Sequence, residues 1–115
     1  MNAHSGALEA VERVLSRGGE ADDVLRQVVA ILHERLDSFA RISFVEGDSL
    51  APGPSAGDET ETTAFPIAFQ GRRVADLEAG GELSSEDTAL LERVAILISP
   101  YALVGWDTRG EEWMP

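Results

Sequence analysis

The chain contains no cysteine, which removes disulfides, thiolate nucleophiles, iron–sulfur clusters and sulfur-ligated zinc together. Thiol redox chemistry is therefore excluded. It contains no lysine either, and its nine basic residues stand against 21 acidic ones for a formal charge of -12. Such a balance repels phosphate backbones and anionic lipid surfaces, so neither a nucleic acid nor a membrane is expected as partner. Residues 1–30 lack a basic segment leading into an apolar one, and no apolar run approaches the roughly 20 residues that span a bilayer. A cytoplasmic location is the expectation. At 115 residues the chain makes one domain with a single core.

What the sequence does have is a strong helical stretch, Leu83 to Val104. Ser84 is followed three residues later by Asp87, a capping-box pattern that predicts a helix start. From there Leu90, Val94, Leu97 and Tyr101 form one apolar row, and Leu91, Ala95, Ile98 and Ala102 form a second about 100° around the helix. The smaller row suits close approach to a sheet, which leaves the larger for other helices. Pro100 cannot donate to the carbonyl of Ile96, so the helix must kink there or stop and restart.

Before that stretch the period alternates between helix and strand. Residues 1–6 are expected to fray, and Leu8, Val11, Val14 and Leu15 predict a short helix of about 11 residues that ends at Gly18-Gly19. Asp22 or a neighbour then caps a second helix over 22–37, with Leu25, Val28, Val29, Leu32 and Leu36 on one side. From Phe39 the period becomes two, and Gly47-Asp48 suits a reversal into a short strand at 49–51. Residues 52–60, PGPSAGDET, have no apolar period and are expected to form a surface loop. Two further strands, 61–69 and 74–79, flank Gln70-Gly71 as a second hairpin. Arg41, Ser43, Asp76 and Glu78 fall on the polar faces of their strands. The predicted fold class is α+β, a two-layer sandwich with an antiparallel sheet and helices packed on one face.

That order resembles the GAF domain family of sensory and regulatory proteins. The segments that carry the likeness are DDVLRQVVAILHERLDSFARISFV, FPIAFQGRRVADLEA and LSSEDTALLERVAILIS, similar to the family's second helix and first strand, its P-x-x-x-x-G-x-x-x-(G/A)-x-L hairpin and its final helix. The resemblance implies a GAF/PAS-like sheet in which the first and last strands pair, and a single domain over 1–115 with 1–6 and 107–115 as flexible or lid-like ends. A typical GAF domain is longer, and much of the excess roofs a ligand pocket between the two hairpins. Here that interval is only 52–60, so the resemblance implies a scaffold without the family's usual pocket, and no cofactor is expected. Free methionine sulfoxide reductases share the fold but need reactive cysteines, so that activity does not carry over.

No residue pattern points to catalysis or to a metal. His33 beside Glu34 resembles half of an acid–base or metal site, but adjacent helical residues diverge by about 100° and no second histidine lies at helical spacing, so a solvated position is expected. Asp58, Glu59 and Glu61 lack the ligand spacing of a calcium loop. Asp76 and Glu78 lie about 7 Å apart on one strand face, as paired glycosidase carboxylates do, but nothing else builds a sugar cleft. A polar face neutralised by Arg41 or Arg72 is the simpler expectation. Trp106 and Trp113 stand among acids late in the chain and either fold back on the sheet or helices or meet a partner.

These readings point to a non-catalytic regulatory or protein-interaction module, with a small-molecule sensor as the alternative. Arg41, Ser43, Asp76, Glu78, Trp106 and Trp113 form its possible ligand or partner face. The first helix, taken as about 11 residues, is too short to cover the larger row of the last one. A homodimer is therefore expected, with Leu8, Val11, Leu15, Leu90, Val94, Leu97 and Tyr101 at the interface of a four-helix bundle.

Overall fold

The computed structural model describes residues 3–102, with side chains from residue 6 onward. Three helices and four strands follow in the order α1 (Ala3–Arg17), α2 (Ala21–Leu36), β1 (Ala40–Glu46), β2 (Ser49–Ala56), β3 (Thr62–Phe69), β4 (Arg72–Gly80) and α3 (Ser85–Leu97). The strands form one antiparallel sheet in the order β2-β1-β4-β3, so the first and last strands are central neighbours. α2 packs on β1 and β2, α3 on β3 and β4, and α1 on the two other helices. The result is a compact α+β sandwich with its core between sheet and helices. Among the described residues no helix is long and apolar enough to cross a membrane.

The predicted start of α3 is present in full. Ser84 Oγ accepts from the Asp87 amide at 3.0 Å, and the Asp87 carboxylate accepts from the Ser84 amide at 3.0 Å. Two orphan amides are thereby satisfied and acid is placed at the positive helix end. At the other end α3 stops at Leu97, Ile98 is a turn, and helical backbone resumes over 99–102. Pro100 enforces this break, and the Ile96 carbonyl that it cannot reach accepts instead from Ser99 Oγ at 3.0 Å.

Four expectations need correction. α1 begins at Ala3 and has 15 residues instead of about 11, so it takes in residues 3–6. At about 1.5 Å per residue it runs for about 22 Å, enough to lie along α3, whose 13 residues cover about 20 Å. The seam that was to require a second copy is accordingly covered within the chain. Val11 and Val94 are fully buried, Leu90 nearly so, and Tyr101 Oη donates to the Leu15 carbonyl at 3.3 Å. Leu91, Ala95, Ile98 and Ala102, the row assigned to the sheet, are buried as well.

The second correction is to α2, which is capped by Glu20 without a side-chain hydrogen bond, while Asp22 and Asp23 sit in its first turn, where the helix dipole favours them. The third is β2, which extends through Pro52 and Pro54 to Ala56 instead of ending at Ala51. An edge strand admits proline because half of its amides face solvent. The register shifts between Arg41 and Ser43 opposite this stretch, and Gly53 lies there because a Cβ would come within 2.6 Å of the Ile42 carbonyl oxygen. The fourth concerns His33, which is half-buried instead of solvated. Its Nδ1 donates to the Ser38 carbonyl at 2.8 Å, closing the C-terminal end of α2, and its ring abuts Gly57.

Candidate functional site

The sheet has a second face that carries no helix among the described residues, and the polar residues singled out from the alternation of β1 and β4 meet on it. The register sets Arg41 opposite Glu78 and Ser43 opposite Asp76, so four polar side chains come from two adjacent central strands. Glu78 Oε1 accepts from Arg41 Nε at 2.6 Å and from Ser43 Oγ at 2.9 Å. The Arg41 fork reaches further, with Nη1 donating to Glu59 at 3.0 Å, and its guanidinium lies 5.4 Å from the centre of the Phe39 ring, within cation–π range. Glu59 belongs to the 57–61 connection, so Arg41 ties that segment to the sheet.

The second carboxylate has a different partner from either arginine proposed for it. Arg73 clasps Asp76 with two bonds, Nε at 2.9 Å and Nη2 at 2.5 Å, while Arg41 goes to Glu78 and Arg72 takes no part in the clasp. A regular strand would place residues three apart on opposite faces. Here the β3–β4 register shifts between Ile67 and Ala68, so that Ala68 stands opposite Arg73 and Ile67 opposite Ala75. The extra residue in β4 turns Arg73 onto the face that carries Asp76.

The electrostatic consequence is a face whose charges are already matched. Ser43, Asp76 and Glu78 retain only 4%, 3% and 8% exposure, and buried carboxylates require partners such as these arginines. The hydrogen bond from Arg41 to Glu78 holds the Arg41 guanidinium above its ordinary value, against desolvation that lowers it. The bond to Asp76 does the same for Arg73. Both arginines thus remain charged at any working pH. Each carboxylate is an acceptor in an ion pair, that of Glu78 with Arg41 joining β4 to β1 and that of Asp76 with Arg73 lying within β4. Among the described residues no cluster of three or more metal-ligating side chains occurs.

At the hairpin end of the same face, Val45, Asp48, Ser49, Leu50 and Arg73 line a depression of about 540 Å³. Trp106 and Trp113, assigned to this face from sequence, lie outside the described residues, as does the end 107–115. Of the seven residues assigned to a dimer interface, Val11, Leu90 and Val94 are interior, while Leu8, Leu15, Leu97 and Tyr101 are half-buried and remain at the surface. Sequence reasoning missed Ile96, which is 64% exposed on α3. Its signal was its place outside both apolar rows. It also missed Glu59, whose contact with Arg41 depends on how the 57–61 connection folds back. No protein-family model matches the chain, and no curated protein matches it.

Proposed function

We propose that this chain is a non-catalytic, GAF-like regulatory or protein-interaction module of the cytoplasm that works as a homodimer through its helical layer. The observation that supports this reading is Ile96, a large aliphatic side chain left 64% exposed on a helix whose Leu90, Leu91, Val94 and Ala95 are buried. Half-buried Leu97 and Tyr101 on the α3 side, and Leu8 and Leu15 on α1, are further apolar side chains that the helical layer leaves partly at the surface. Contiguous exposed apolar surface marks contact sites in soluble proteins.

The alternatives within the fold are less favourable. Both sheet edges carry proline, Pro52 and Pro54 on β2 and Pro66 on β3, which discourages a second sheet from adding to either edge. The helix-free face has its charges paired internally. Contact through α1 and α3 uses neither. Light scattering at micromolar concentration tests the proposal, with a mass twice the 12.3 kDa of one chain expected for the wild type and a single-chain mass for Ile96→Glu. A wild type that stays at one chain's mass overturns it.

A small-molecule sensor is the second reading, favoured by the depression at the hairpin end of the polar face. A thermal-shift screen against nucleotides and metabolites addresses it, since a ligand at 100 times its Kd adds about 2.7 kcal/mol to stability. Stabilisation that disappears in Arg73→Ala would favour this reading.

A further inference from the structure

The outward side of α3 carries one exposed stripe. Ala89 and Ile96 stand a heptad apart, hence on one line of the helix, and Glu92 and Arg93 between them are exposed as well. Adjacent helical residues diverge by about 100°, so the acid lies on one flank of that line and the base on the other. Among the described residues neither takes part in an ion pair within the chain. Leu90, Leu91, Val94 and Ala95, on the opposite side of the helix, are buried. We propose that this stripe packs in parallel on the same stripe of a second copy, around a two-fold axis that runs along the two helices. The inference rests on the homodimer proposed above and adds which helix meets which, and in what direction.

The charges select the direction, because a contact between two identical surfaces has to be complementary to itself. A two-fold axis along the helices sets the Glu92 flank of one copy beside the Arg93 flank of the other, so that Glu92 meets the partner's Arg93 and Arg93 meets the partner's Glu92. An axis across the helices, the antiparallel case, sets acid beside acid and base beside base. Only the parallel arrangement uses both charges favourably, as paired flanking charges do along a coiled-coil seam. The apolar line fits the same sense. Ile96 meets the partner's Ile96, which takes out of water the large aliphatic side chain that α3 leaves exposed. Ala89, one heptad earlier, has no side chain long enough to hold the helices apart. With axes about 8 to 10 Å apart and Cα atoms about 2.3 Å from each axis, the two Ala89 Cα atoms come within about 6 Å. The seam is only about two turns long, so the two ion pairs and the Ile96 contact decide whether it forms.

Light scattering on the full chain reads the outcome. Glu92→Arg and Arg93→Glu, each alone, put like charges together on both flanks and should weaken dimerisation by about tenfold or more. The double variant Glu92→Arg/Arg93→Glu should restore it, since the swap regenerates both pairs. Both positions are exposed, so the protomer keeps its fold, and far-UV circular dichroism verifies this. Because the chain has no cysteine, Ala89→Cys reports the direction. Parallel helices bring the two thiols within reach, a disulfide spanning about 4.4 to 6.8 Å between Cα atoms, and mild oxidation should yield a covalent dimer. Antiparallel helices centred on Glu92 and Arg93 would hold the two positions about 10 Å apart along the axis. A wild type of single-chain mass removes the homodimer and this arrangement with it. A wild-type dimer that the single charge reversals leave intact, that the double swap fails to restore, or that Ala89→Cys fails to link leaves the homodimer standing and overturns the α3 pairing.

Discussion

Val94 and Ile96 lie two residues apart on α3, one with no exposed surface and the other 64% exposed, and a glutamate at each position should have opposite consequences. Val94→Glu forfeits about 1.5 to 3 kcal/mol of aliphatic burial. It also places a carboxyl between α1 and α3 that can stay only if neutral, and lifting its pKa from about 4.3 to at least 7 costs about 3.7 kcal/mol at pH 7. The combined loss of about 5 to 7 kcal/mol is comparable with a whole stability of about 6 to 17 kcal/mol, taking about 0.05 to 0.15 kcal/mol per residue over 115 residues. A thermal midpoint lowered by about 20 °C or more, or no cooperative transition, is expected by circular dichroism. The folded-state pKa of the new carboxyl lies above its unfolded value, so the ionisation part of the deficit is present at pH 7 and fades towards pH 4. The burial part remains. Ile96→Glu should change the stability of the protomer by no more than about 0.5 kcal/mol and alter only association. A Val94→Glu protein with wild-type stability would refute the intramolecular seam, and with it the account of how α1 covers α3.

Three further outcomes follow from local geometry. Gly53→Ala sets a methyl group within 2.6 Å of the Ile42 carbonyl oxygen and should destabilise by about 1 to 3 kcal/mol in urea titration, whereas Gly81→Ala meets no atom and is limited to the strain of its positive φ. Gln70 and Gly71 both have positive φ, 54° and 78°, as the primed two-residue hairpin turns require, so Gln70→Asn should raise the thermal midpoint, by about 0.5 to 1 kcal/mol in free energy. A double-mutant cycle on Arg41→Ala and Glu78→Ala should return a coupling of about 1 kcal/mol that falls with salt, since Arg41 is partly exposed and shares its charge with Glu59.

The parts of the fold legible in the sequence were those fixed by short-range signals. Ser84 and Asp87 specify the start of α3 by themselves, and the alternation in β1 and β4 puts Arg41, Ser43, Asp76 and Glu78 on one face without any knowledge of their neighbours. The misses came where a neighbour overrides local preference. Pro52, Gly53 and Pro54 have loop composition, yet they extend β2 because an edge strand can forgo half its amides and because Gly53 fits against Phe44 and the Ile42 carbonyl. Arg73 took the place expected of Arg41 or Arg72 at Asp76 through a one-residue bulge, which no periodicity announces. The length of α1 was misjudged because Ala3 to Gly6 contributes almost no apolar signal, although alanine favours helix. That error alone removed the covering helix from α3.

The polar face then acquires a definite structural sense. Buried ion pairs are a weak source of stability, because desolvation offsets most of their attraction, and apolar residues of similar volume often do as well or better. On a face that none of the described helices covers, however, an apolar replacement would set an apolar patch on the two central strands. Val45 and Leu50 already lie at one end of this face. Arg41 on Glu78 and Arg73 on Asp76 keep the middle polar while satisfying every charge internally. Prolines on β2 and β3 make the two edges poor templates for another strand. With the uncovered face saturated and the edges blocked, adhesive surface is left mainly on the helical layer, at Ile96 and the half-buried residues around it. On the function proposed above, a protein that works by contact through one surface needs its other surfaces silent, and these charge pairs and prolines supply that.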